Sequence, residues 1–119
     1  MILQTSGKHL VVNADDFGFT RDVNEGIVEA HQHGILTATT LMANGPAFDD
    51  AVRLARENPR LDLGAHLVLV GGPALATPGK ELPPGIPQLF AAIAARRIRI
   101  YDELSAQVKP FSRAYSHIQ

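Results

Sequence analysis

The chain has 119 residues, a formal net charge of −1 and 45% apolar residues, which bounds it to one small domain with a modest core. No basic excess or aromatic series points to nucleic acid, and no run of eighteen apolar residues points to a membrane span. The absence of cysteine excludes disulfide and thiolate chemistry. The opening MILQTSGKHLVV lacks the charged start and long apolar stretch of a signal peptide, so a cytoplasmic protein is expected.

In chain order, Leu10 to Asn13 is a short, largely apolar run that reads as a buried strand ending at the acidic pair Asp15 and Asp16. Thr20 is placed to cap a helix. Val23, Ile27, Ala30 and His31 recur at helical spacing, and Gly34 supplies the stop. Ile35 to Met42 reads as a second strand. Pro46 suits the first turn of a second helix, whose stripe is Phe48, Ala51, Val52 and Ala55. Leu61 to Val70 alternates, with Leu63, Ala65, Leu67 and Leu69 on one face and Gly64, His66, Val68 and Val70 on the other. The β-α-β-α-β order, with strands too apolar to border water on either face, predicts a parallel α/β sheet.

Residues 71–87 are rich in proline and glycine and read as one long loop, and 88–119 as helical, with segments Gln88–Ala95 and Asp102–Ala114. Pro110 is expected to break or kink the last of these. The whole reads as a single domain, 1–119, with too few strands to close a sheet. Unpaired parallel edges then invite association with a second copy.

Ligands of parallel α/β folds bind beyond the carboxyl ends of the strands, where Asp15 and Asp16 are expected. His66, on the third strand, would converge on them. Carboxylate and imidazole together suit a divalent cation, one aspartate serving as ligand and the other as general base toward a nearby water. Two adjacent like charges resist joint ionisation unless a cation lies between them. Against this stand plainer roles: Asp in turn and cap chemistry, and His66 as a hydrogen-bonded core residue. His31 and His33 suit the negative end of a helix dipole, and His9 faces solvent. Asn13 and Asn44 either position substrate or close turns. A phospho-receiver domain would share the acidic pair and the Lys-Pro-Phe at 109–111. Its acceptor aspartate should end the third strand, however, whereas Asp62 begins it.

The segments NADDFG, VNEGI, GILTATTLM and GAHL, within a stretch from Lys8 to Gly72, closely resemble the start of the YdjC-like carbohydrate deacetylases. That family includes chitooligosaccharide and hopanoid-associated enzymes. The resemblance implies the N-terminal part of a (β/α) barrel-like deacetylase fold, incomplete at this length. It also implies a divalent metal, zinc or magnesium, and an N-acetylated amino sugar or glycolipid as substrate. Asp15 matches the family's general base, and Asp16 and His66 match metal ligands. The implied reaction is attack of an activated water on the acetamide carbonyl. Ser116 to Gln119 matches the segment that precedes the family's third ligand, with Gln119 where an aspartate is usual and His117 not at a ligand position. Neither the third ligand nor a general acid is matched. Activity at this length is therefore expected to be absent or impaired, the alternative being a remnant that folds or associates without catalysis.

Overall fold

The structure, a computed structural model, describes residues 8–118. Strands β1 (Asn13–Phe17), β2 (Ala38–Met42) and β3 (Asp62–His66) form a parallel sheet in that order, connected through helices α1 (Arg21–His33) and α2 (Phe48–Glu57). Helices α3 (Ile86–Ala94) and α4 (Ile100–Tyr115) follow. This is the expected β-α-β-α-β start. None of the described helices is long and apolar enough to cross a membrane.

Local signals set the ends of α1. Thr20 lies in extended backbone and its Oγ1 accepts the N–H of Val23 at 3.2 Å. At the other end the Gly34 N–H donates to the Ala30 carbonyl, and His31 Nδ1 donates to the Leu36 carbonyl at 2.8 Å. Asn24, Ile27 and Val28, at i, i+3 and i+4, form the buried stripe. With Val52, Leu54 and Ala55 of α2, Ile27 and Val28 pack on Phe17, Leu41 and Leu63 from the three strands, and Ala114 of α4 joins the same core.

Several expected boundaries move. Leu10 and Val11 are 78% and 70% exposed. Ladder pairing starts only where the Val12 carbonyl accepts the N–H groups of Thr37 and Ala38, so β1 comprises Asn13–Phe17 and the aspartates lie within it. Likewise β2 begins at Ala38 and β3 ends at His66, with 67–70 outside the ladder. Pro46 lies in the turn before α2 rather than in its first turn. Nor are the strands covered on both faces: the helices close one, while the face bearing Asn13, Asp15 and Asp62 is exposed.

The loop shortens because α3 starts at Ile86, with Pro87 in its first turn. An antiparallel bridge joins Pro73 to Glu81. The helix α4 runs through Pro110 to Tyr115 instead of ending there. Proline forfeits the N–H that would reach the Ala106 carbonyl, a loss the helix absorbs while Phe111, Ala114 and Tyr115 pack on the core.

Two polar residues of α4 fasten the loop. Glu103, only 2% exposed, accepts the N–H groups of Leu75 and Ala76, both at 2.9 Å, and Nε2–H of Gln107 at 2.8 Å. Gln107 in turn accepts from the Val68 N–H and donates to the Val68 carbonyl. Burial pushes the Glu103 carboxyl up, but these three donors together outweigh it and hold the group below its ordinary value of 4.5. A depressed folded-state value contributes stability that is present above that ordinary value and lost as pH falls through the folded value. Glu103→Gln, which turns an N–H donor toward a backbone N–H, is expected to cost about 2 kcal/mol at neutral pH. It should also flatten the acid limb of the stability curve; urea titrations at neutral and acid pH check both.

Candidate active site

The two adjacent aspartates pose a geometric problem, because neighbouring residues of a regular strand point to opposite faces. The register of β1 on β2 solves it. Asn13 pairs with Ala38 and Ala14 with Thr39, but the next pair is Phe17 with Leu41. Asp15 and Asp16 together therefore oppose the single residue Thr40, which is a β-bulge. Asp16 takes the left-handed conformation, φ 68°, a region that Asp tolerates better than most residues. The extra residue returns Phe17 to the core face and turns both carboxylates toward the face carrying Thr40 and His66.

Immediately afterwards the chain turns, closed by the Phe19 N–H on the Asp16 carbonyl at 3.0 Å, with Gly18 at φ 105°. That turn is held on both sides. The Gly18 N–H donates to the buried Asn24 Oδ1 at 2.7 Å, and the Gly18 carbonyl accepts the Ala47 N–H at 2.9 Å. Asn24 Nδ2 completes the link by donating to the Ala47 carbonyl and to Asp50 Oδ2. The loops after β1 and β2 are thus tied together behind the carboxylates.

On the open face, Thr40 Oγ1 lies 2.8 Å from Asp15 Oδ1 and 3.0 Å from His66 Nδ1. Asn13 Nδ2 also donates to Asp15 Oδ1 at 2.8 Å, leaving Oδ2 available. The Thr40 hydroxyl first, then the Asn13 amide and, more weakly, the His66 ring hold the Asp15 carboxyl below the usual carboxylate range, against a small opposing effect of burial. His66 Nε2 lies 3.6 Å from Asp16 Oδ1, too far for a hydrogen bond. Two ligand atoms of one tetrahedral ion stand about 3.4 Å apart, given bonds of about 2.0–2.2 Å. The pair therefore fits one cation between them. Among the described residues no group of three or more His, Cys, Asp or Glu side chains could hold a metal ion.

The three residues expected at the site are thus together. His117 is exposed at the end of the described chain, its N–H on the Ala114 carbonyl. Asn44 is buried and donates to the Pro73 carbonyl, so it positions a loop. Asp62 is the first residue of β3, at the end of the sheet remote from the acidic pair, and Lys109 is on α4, which removes the receiver geometry. Thr40 and Asn24 were missed. Asn24 carried a signal, a polar residue at a core-stripe position; Thr40 carried none, since threonine is ordinary in strands. A cavity of about 730 Å³ between the proline-rich loop and the α3–α4 turn includes Lys80, Arg97 and Glu103 but none of the site residues. The carboxylates instead occupy an open shelf.

The sequence profile of the YdjC-like proteins matches residues 9–118. The chain belongs to the YdjC-like family. Among relatives of this YdjC-like chain, a carbohydrate deacetylase of Geobacillus stearothermophilus is 44% identical over 110 residues, covering 87% of this chain and 44% of the relative. A carbohydrate deacetylase of Brevibacillus brevis is 57% identical over 63 residues, covering 53% and 25%. A crystal structure from Enterococcus faecalis V583, named provisionally as a cellobiose-phosphate cleavage protein, superposes with a TM-score of 0.66 at 31% identity over 87% of this YdjC-like chain and 43% of its own. The chain spans less than half the length of each of these relatives.

Proposed function

We propose that this chain carries part of the active site of a carbohydrate deacetylase that removes N-acetyl groups from amino sugars or glycolipids by hydrolysis. The observation that carries the reading is the bulge that turns Asp15 and Asp16 to one face, beside His66. Asp16 Oδ1 and His66 Nε2 would hold a divalent cation, zinc or magnesium. When bound, the cation would stabilise negative charge developing on the substrate carbonyl oxygen.

Asp15 is the general base. Its Oδ1 is occupied by Thr40 and Asn13, which fix the carboxylate plane, and its Oδ2 takes the proton of the attacking water. The turn after Asp16, tied through Asn24, keeps the two carboxylates in fixed relation. The proton held on Asp15 then passes to the leaving nitrogen as the C–N bond breaks, which yields acetate and a free amino sugar.

A second reading, a chain that folds and holds the cation weakly without turnover, is favoured by one observation. The described residues bring only two candidate ligands together, whereas catalytic zinc sites use three. The experiment is acetate release from an N-acetylglucosamine oligomer with added zinc or magnesium. The deacetylase reading expects release that chelator abolishes and re-added metal restores. Release no greater than in protein-free controls leaves the non-catalytic reading.

A further inference from the structure

The hydroxyl of Thr40 touches both halves of the proposed machinery, and hydrogen counting restricts how it can do so. Thr40 has one hydroxyl hydrogen. Its shorter contact, 2.8 Å, is to Asp15 Oδ1, a carboxylate oxygen that can only accept. With that hydrogen committed, only lone pairs face His66 Nδ1 at 3.0 Å, a contact that is a hydrogen bond when Nδ1 carries the hydrogen and donates it. The competing donor to Nδ1, the Asp16 N–H, is at 3.4 Å, a longer and weaker contact. An Nε2–H tautomer would also gain nothing from Asp16 Oδ1 at 3.6 Å. The hydroxyl is restrained because Thr40 is β-branched and stiff at χ1, its methyl on the side of Gly64.

From this geometry we propose that Thr40 is a positioning residue, relaying a hydrogen bond from the His66 ring to the Asp15 carboxylate and fixing His66 as the Nδ1–H tautomer. The Nε2 lone pair is then turned to the side of Asp16. Ligating histidines commonly donate their other ring N–H to a carboxylate or carbonyl; here a hydroxyl stands between ring and carboxylate. One side chain thereby couples the orientation of the base to the readiness of the ligand. The consequence for metal affinity rests on the function proposed above, but the tautomer does not.

The tautomer is read by ¹⁵N NMR of the His66 ring in metal-free, labelled chain at about pH 8, where imidazoles are largely neutral. Wild type should show a protonated Nδ1 and an unprotonated Nε2. Thr40→Val, close in shape, should lose that preference, and Thr40→Ser should keep it. Zinc affinity should fall about 10–100-fold in Thr40→Val and recover in Thr40→Ser. An Nε2–H ring in wild type, or a tautomer unchanged by Thr40→Val in a chain with native amide dispersion, would overturn the relay. An Nδ1–H ring lost in Thr40→Val, with no zinc bound by any form, would support the relay and overturn the metal role instead.

Discussion

Asp15→Asn is expected to lower the rate of acetate release by about 10²–10⁴-fold in any metal-loaded form that turns over. The substitution is isosteric, and an amide oxygen at the Oδ1 position still accepts from Thr40 and Asn13, so the bulge and its neighbours stay in place. What disappears is the proton acceptor at Oδ2. Because hydrogen bonds hold the Asp15 carboxyl below the usual carboxylate range, the group is ionised throughout the neutral range. The acidic limb of a rate profile that reports this residue therefore belongs below the ordinary carboxylate range. The same depression would make Asp15 a weak base, which a bound cation would assist by acidifying the water. A full rate in Asp15→Asn, with circular dichroism unchanged, would remove the base role.

Gly45→Ala is expected to be the most damaging small substitution in the described chain. A Cβ at position 45 would lie 2.2 Å from the Gly18 carbonyl oxygen and 2.6 Å from its carbon, both backbone atoms. The Gly18 turn must retreat, which breaks the Ala47 N–H bond to that carbonyl and loosens the Asn24 link. Overpacking of this kind costs about 3 kcal/mol, or a Tm lower by about 10 °C for a domain near this size. Gly26→Ala supplies the control. Nothing lies within 4 Å of a Cβ there, and helix propensity predicts stabilisation of about 0.5–1 kcal/mol. Thermal melts of the two variants should move in opposite directions, and a Gly45→Ala melt within about 2 °C of wild type would show that the two loops are not locked. Since Gly18 is two residues from Asp16, the unlocked form should also lose the arrangement of the carboxylates.

Much of this architecture is legible in the sequence because it is written in local terms. The Thr20 cap, the Gly34 stop and the periodicity of Val23, Ile27, Ala30 and His31 announce α1, and the run of Ile35 to Met42 announces β2, which begins at Ala38. Strand ends are not local. Leu10 and Val11 have the composition of a strand, but nothing pairs with them, and apolar residues outside a ladder look the same in a sequence as those within it. The aspartates and His66 could be named from residue type, strand position and family resemblance. Strand position also placed His66 near them, but the turning of both adjacent carboxylates to one face could not be read, because it depends on two residues of β1 standing against one of β2. No composition signals that register, and Asp at φ 68° differs from Asp in a strand only once the backbone is seen. Glu103 and Gln107 were hidden for another reason: their partners lie 27 to 39 residues away, Leu75 and Ala76 in a loop without periodicity and Val68 in a stretch whose alternation reads as strand. Their spacing at i, i+4, in line with the core-facing Ala114, was the only hint that these polar side chains point inward.

Asp16 and His66 are expected to form one cation site, which calorimetric titration with zinc reads out. The metal-free 119-residue chain would be compared with Asp16→Ala and His66→Ala. Binding in the micromolar range or weaker is expected for wild type, as two protein ligands allow, reduced at least about tenfold by each substitution. Zinc binding indifferent to both substitutions, or none in the wild-type chain, would contradict it.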